Sequence, residues 1–228
     1  MKLLLSKRFD KIASKGMAAI LVLLCILITG QATAQNSGVG SHAAPFLKVS
    51  PAARQVALGG AFTALTNDIN VMRYNIGGLG GLEHTSFGIN FNTWIDDTQQ
   101  GNLSFGIPFS FGAVGVDVSY FNEGQITKLD PDFIATGGEA ISGDVMFSVG
   151  YGKFLHNMFN IENMTFGLGG AFKYLNQSLV GETSSVSAFD VGAQLRFPQY
   201  ISLGASIQNY GFSNVKFDNW ESPLPTTY

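Results

Sequence analysis

The chain has 228 residues, 46% hydrophobic and 12% aromatic, with only 13% charged and a formal net charge of -3. Globular chains carry about twice that charged share, so the composition argues against a disordered polar chain and a charged helical bundle. It argues equally against a nucleic-acid binder, because neutralising phosphate takes a surplus of Lys and Arg.

Residues 1–34 predict a signal peptide. Lys2, Lys7, Arg8, Lys11 and Lys15 make a basic leader, residues 17–29 are almost wholly apolar, and Ala32-Thr33-Ala34 gives the small-x-small cleavage pattern before Gln35. The apolar run is short for a span, which takes about 20 residues. The single Cys25 lies within it, preceded by Leu24 and followed by Ile26-Leu27-Ile28, a poor setting for lipidation. Removal of the leader therefore leaves no thiol and no disulfide. It also takes away five basic residues against one acid, Asp10, so the remainder is more acidic than the whole.

Residues 35–84 read as a separate N-terminal segment. They are rich in Ala and Gly, poor in charge and without clear alternation. Asn67 or Asp68 is placed to cap a short helix over residues 69–74. Gly59-Gly60 and Gly77-Gly78 are expected to break regular structure on either side.

From Thr85 the period is two. Phe87, Ile89 and Phe91 alternate with Gly88, Asn90 and Asn92; Leu103 to Phe109 and Val114 to Tyr120 continue the pattern. So do Val145 to Tyr151, Phe166 to Tyr174, Phe189 to Phe197, and Ile201 to Ile207. Each of these seven segments has one oily face and one of Gly, Ser, Ala and isolated charges. A soluble sandwich would wet the second face with Lys, Glu and Thr; a membrane barrel turns the oily face to lipid and lines its lumen with small and polar residues. Several strands also end in aromatics (Phe109, Tyr120, Phe121, Tyr151, Phe154, Tyr174, Phe197, Tyr200, Tyr210), as interfacial girdles require. Connections are predicted to be short at 110–112 and 198–199 and long at 122–140 and 175–187, an asymmetry such barrels share.

The expected fold class is therefore all-β: a transmembrane antiparallel β-barrel with about seven strands over residues 85–228, and residues 35–84 as a plug inside the lumen. Seven is odd, whereas single-chain bacterial barrels have an even number, and residues 221–228 read as a loop entering a further strand. The expectation is that residues 85–228 form half of a larger barrel, with completion by a second copy as the alternative.

Residues 46–49, Ala53-Arg54-Gln55-Val56-Ala57-Leu58-Gly59-Gly60-Ala61-Phe62, Asn67-Asp68 and Tyr74-Asn75-Ile76-Gly77-Gly78-Leu79 resemble the N-terminal signature of the PorV/PorQ family. The family pattern has Asn-Pro-Ala-Gly-Leu at its last element, where this chain has Ile76-Gly77 in place of Pro-Ala. Later stretches such as Phe189-Asp190-Val191-Gly192 and Gln208-Asn209-Tyr210-Gly211 also look like the family. The resemblance implies a FadL-like barrel of about fourteen strands in a bacterial outer membrane. Its members include type IX secretion components and presumed transporters of small hydrophobic molecules.

His42, His84 and His156 are scattered, and no nucleophile constellation or phosphate-binding loop is present in the sequence. No catalytic, metal or cofactor site is expected, and the protein reads as non-enzymatic. The charges that stand out fall on the lumen parity: Asp117, Asp144, Lys173, Asp190 and Arg196. Buried there they need partners, and Arg54, Asp68 and Asn75 of the plug are the expected ones, in a network bracing plug against wall. Expected partners of the whole protein are outer-membrane lipid, with secretion-system components or hydrophobic small molecules, and no nucleic acid.

Overall fold

The computed structural model describes residues 42–95, 98–129, 135–156, 164–179, 181–197, 201–218 and 220–228, those at 125–129 and 135–141 by backbone alone. The predicted signal peptide lies outside the described residues, as do the predicted 198–199 connection and Tyr200.

Four short helical pieces come first: a 3-10 turn at Pro45–Lys48, helix α1 at Ala53–Ala57, and 3-10 turns at Ile69–Arg73 and Ile76–Gly81. Seven strands follow: β1 (Ser86–Thr93), β2 (Gln99–Phe109), β3 (Gly112–Leu129), β4 (Ala135–His156), β5 (Thr165–Leu179), β6 (Glu182–Arg196) and β7 (Ser202–Gly211). They pair in chain order, every neighbour antiparallel, with β1 and β7 at the edges of the sheet. A small hairpin of β8 (Val215–Phe217) and β9 (Trp220–Ser222) follows, and Thr227 beyond it bridges back to Gln208 of β7. All seven alternating segments of the sequence are strands of one sheet.

Two predicted loops are not loops. β3 and β4 stay paired as far as Leu129↔Ala135, and β5 and β6 as far as Leu179↔Glu182. There the outward side chains turn polar (Asn176 and Ser178 on β5, Thr183 and Ser185 on β6), which erases the oily alternation without weakening a ladder made by backbone groups. The predicted asymmetry of connection length is thus replaced by one of strand length: β1 has 8 residues and β4 has 22. About 9–11 residues suffice to cross a bilayer. The aromatics are redistributed as well. Tyr174 and Tyr210 lie within strands, and Phe121 faces inward, stacked on Phe46 at 5.6 Å.

The two faces of the sheet differ in kind. Outward stand Ile89 (68% exposed), Phe87, Phe91, Leu103, Phe105, Val118, Phe147, Phe172 and Val191, all exposed apolar side chains. Inward stand Asn102, Ser104, Asp117, Ser119, Asp144, Ser148, Lys173, Asp190 and Gln194, all buried.

Residues 42–82 lie against that inner face, and the turn Ile76–Gly81 touches β3, β4, β5, β6 and β7. The glycines opposite the oily residues are its seats. Gly106 faces Gly115, which faces Gly150; Gly152 faces Gly169, which faces Gly192. A Cβ at Gly150 would lie 2.6 Å from the Ile76 side chain, and one at Gly192 would lie 2.7 Å from the Gly77 nitrogen. Two apolar clusters form where the segment meets the wall. Phe62, Ile69, Val71, Met72, Ile76, Leu79 and Leu82 pack on Ala113 and Ala171. Phe46 packs with Met146, Leu175 and Val186, and with Val215 and Leu224 from the chain end.

Gly77-Gly78, expected to break structure, instead sit inside the Ile76–Gly81 turn, where lack of side chains lets the two backbones meet. Of the two candidate caps Asp68 serves: its carboxylate accepts from Asn70 N at 2.9 Å and opens a 3-10 turn, Ile69–Arg73, one residue shorter than expected. Gly192→Ala is expected to displace the turn at a cost of about 1–3 kcal/mol. Limited proteolysis should then cut within residues 42–82 faster, while β1–β7 remain protected.

Candidate functional site

The polar residues of the inner face form a belt in two parts, one on β1–β3 and one on β5–β7, with Ser148 of β4 between them, its hydroxyl making no hydrogen bond among the described residues. On β2 and β3, one Asp117 carboxylate oxygen accepts from Asn102 Nδ2 at 2.8 Å and Ser104 Oγ at 2.6 Å. The other accepts from Ser119 Oγ at 2.7 Å. Asn90 extends the chain of bonds to β1, donating to Asn102 at 3.0 Å and to Asn70 of the N-terminal segment at 2.9 Å. On β5 and β6, Lys173 Nζ lies 2.7 Å from Asp190 with both side chains almost fully buried, and donates to Asn209 Oδ1 at 2.8 Å. The second Asp190 oxygen accepts from the Asn209 backbone N–H at 2.7 Å.

That bond fixes an irregularity. Asn209 has φ 55°, a left-handed conformation that Asn tolerates better than most residues. The β6–β7 register shifts between Phe189 and Val191, where such a bulge turns the strand. Gln208 and Asn209 consequently both serve the inner side, and Tyr210 returns outward.

Arg73 links the N-terminal segment to the belt. Its guanidinium donates to Ser119 Oγ and stands 4.0 Å from Asp117, with 7% of the side chain exposed. Burial pulls the Arg73 pKa below its ordinary value, and Asp117, then Tyr74 and Asp190, oppose that. Because a guanidinium stays protonated in proteins, Asp117 serves as counter-charge to a buried cation. Asn75 is another link. It accepts from Gly77 N at 3.0 Å, capping the Ile76–Gly81 turn, and donates to Thr63 O at 2.7 Å and Ala193 O of β6 at 2.9 Å.

The expected network is thus assembled in part and wired differently. Asp117, Lys173, Asp190 and Asn75 lie in it. Arg54 and Asp68 do not reach the wall charges: they pair with each other at 2.7 Å, and Arg54 also stands over the Phe62 ring at 5.6 Å. The physical reason is proximity, since the turn at residues 58–62 folds α1 back over the Asp68 cap. Arg196 is exposed at the end of β6 and donates to Thr66 Oγ1 at 3.3 Å. Asp144 is buried and accepts from Gln177 Nε2 at 3.5 Å, with no cation paired to it among the described residues.

Sequence reasoning missed Arg73, Asn102, Ser104 and Asn209. Arg73 gave a signal, being one of only two arginines in residues 35–84, but neutral Asn and Ser gave none. Gln194 donates to Ala64 O, while Ser206 and Gln208 both donate to Tyr74 O, so β6 and β7 grip the backbone of the N-terminal segment. Beside Tyr74 lies a cavity of about 900 Å³, bordered by Lys48, Thr63, Arg73, Ser206, Gln208 and Thr226. Among the described residues no three His, Cys, Asp or Glu side chains gather as a metal site.

No protein-family model matches the chain, and no curated protein matches it.

Breaking a buried ion pair by removing one partner costs about 3–5 kcal/mol, whereas replacing both with apolar groups costs far less. Lys173→Met alone is therefore expected to lower stability by about that amount in urea titrations of the micelle-folded protein. The double variant Lys173→Met/Asp190→Leu should recover most of it.

Proposed function

We propose that this protein is an outer-membrane β-barrel component of PorV/PorQ type, with residues 42–82 as a lumenal plug. It acts without catalysis in type IX-like protein secretion or in assembly at the outer membrane. The observation that carries this reading is the inversion of the sheet: exposed Phe, Ile, Leu and Val on the outside, buried Asp, Lys, Asn and Ser within.

A sheet in water would reverse that arrangement or cover the oily face. In hydrocarbon it is the favoured one, since apolar atoms lose nothing by facing lipid and strands satisfy their own backbone groups. Outward apolar residues run from Phe166 to Tyr174 on β5 and give way to Asn176 and Ser178. At about 3.4 Å per residue that is roughly 27 Å along a strand, or ~20 Å of membrane depth at the usual tilt. Above it, the polar ends of β5 and β6, with Asn176, Ser178, Thr183 and Ser185 outward, offer a surface on which a partner is held. The absence of a helix long and apolar enough to cross a membrane, among the described residues, bears on none of this, because barrels cross with strands.

The second reading is a FadL-like channel for small hydrophobic molecules. The cavity beside Tyr74 favours it by volume, as such sites usually span about 300–1,000 Å³. Its border is mixed: Leu47, Val49, Tyr74, Ala205 and Tyr228 stand beside Lys48, Arg73, Ser206, Gln208 and Thr226. The secretion and assembly reading leads on the polar strand ends of β5 and β6, which extend the wall beyond its apolar band.

Deletion of the gene separates the two. The leading reading expects loss of specific proteins from the culture medium with uptake of a radiolabelled fatty acid unchanged; lost uptake with normal export would reverse the order. For the membrane itself, Phe172→Arg on the outward face is expected to cost about 2–4 kcal/mol of stability in vesicles, against little for Phe172→Leu. Equal tolerance of both would contradict the lipid-facing assignment.

A further inference from the structure

Three of the buried charges on the inner face have opposite partners: Asp117 has Arg73, and Lys173 and Asp190 have each other. Asp144 has none among the described residues. It is 3% exposed, and the charge that acts on it is the like charge of Glu123. Taking a carboxylate out of water without a cation is costly, so a buried acid that faces a second acid calls for positive charge from outside the chain.

A bulge in β3 brings the two acids together. The β3–β4 ladder runs regularly to Asn122↔Gly143 and resumes at Gln125↔Ile141, so β3 carries one extra residue there. Asn122 Oδ1 accepts from Gly124 N at 3.0 Å, and Gly124 has φ 80°, a conformation that favours glycine. Glu123, between them, is half-buried. Its neighbour Phe121 is the direct cross-strand partner of Asp144. Glu123 therefore stands diagonal to Asp144, a separation that long side chains span.

Gln177 completes the group. It lies directly opposite Asp144 on β5 and is 8% exposed. Its Oε1 has no hydrogen-bond partner among the described residues, and its Nε2 stands 3.5 Å from Asp144 Oδ2. That gap is long for an N–H···O bond, which prefers about 2.7–3.2 Å. A half-turn of the amide exchanges nitrogen for oxygen and sets the unpartnered acceptor at that same spacing from the carboxylate. Two oxygens held about 2.4 Å from one calcium ion, at a right angle, lie about 3.4 Å apart; around magnesium, at about 2.1 Å, they lie about 3.0 Å apart. The spacing fits calcium.

We propose that Asp144, Glu123 and Gln177 form a calcium site, with water filling the rest of the shell. The donors are two carboxylates and an amide carbonyl, all hard oxygen ligands, and the two acids neutralise the ion. So few protein ligands place the affinity in the weak class of calcium sites, with Kd about 0.1–1 mM. Gln177 follows Asn176, where the outward face of β5 turns polar, so the site lies beyond the apolar band. The bound ion ties β3, β4 and β5 together beside the Phe46–Phe121 stack, and so holds the Pro45–Lys48 turn against the wall. The site depends on the sheet alone and not on what the protein exports or takes up.

Equilibrium dialysis of the micelle-folded chain against radioactive calcium, with thermal unfolding followed with and without millimolar calcium, tests the site. The expected result is one ion bound per chain, a higher unfolding temperature with calcium, and a smaller rise with magnesium at the same concentration. Asp144→Asn removes the buried charge; it is expected to fold at least as well without calcium and to lose both the binding and the rise. Gln177→Leu keeps both acids and is expected to bind more weakly, while Asp218→Asn, at an exposed acid outside the group, leaves binding unchanged. No binding at millimolar calcium overturns the proposal, as does a magnesium response equal to that of calcium. Undiminished binding in Asp144→Asn or in Gln177→Leu overturns it as well.

Discussion

A strand in hydrocarbon has no water to satisfy its amides and no reason to hide its oily side chains. On the membrane reading proposed above, that constraint orders the rest of this structure. The antiparallel ladder takes up the backbone groups of β1–β7 in chain order, and the side chains sort by medium, with aromatics and aliphatics outward and charges inward. The usual hydrophobic core between two layers is replaced by two limited clusters where residues 42–82 meet the wall.

Hydrogen bonding on the inner face has a clear division of labour. Lys173, Asp190 and Asn209 act within the wall, tying β5 and β6 to the bulge of β7. Arg73 and Asn75 act between segment and wall, one through Asp117 and Ser119, the other through the Ala193 carbonyl. The glycines supply what polar groups cannot, which is distance. Without Cβ atoms at Gly150, Gly169 and Gly192, the Ile76–Gly81 turn comes close enough for its backbone and Asn75 to meet β6. The Phe–Gly alternation of the sequence thus has two causes: Phe answers to the outer medium and Gly to the closeness of the inner segment.

Much of this was legible in the sequence because a period of two needs no tertiary information. All seven strand segments, the sense of each face and a cap at residue 67 or 68 could be read from side-chain order alone. Strand ends could not, since polar outward residues such as Asn176 and Ser185 look like loop while their backbones stay paired. The site was half legible. Parity identified Asp117, Lys173 and Asp190, but which cation meets which acid depends on how residues 42–82 fold, and that segment has no periodicity to read. So Arg54 turned to Asp68, and the contact with the wall fell to Arg73. Asn209 was hidden for another reason: a bulge shifts parity at one position and leaves no mark in composition.

The central claim is that the apolar face of the sheet meets hydrocarbon. Its most direct measurement is a spin-label scan of positions 168–176 on β5 in lipid vesicles, comparing relaxation by oxygen with relaxation by a water-soluble nickel chelate. The account predicts oxygen maxima at 168, 170, 172 and 174 and chelate exclusion there, with the sense changing by Asn176. Chelate access at 170 and 172 equal to that at 176, or no two-residue periodicity at all, would contradict it.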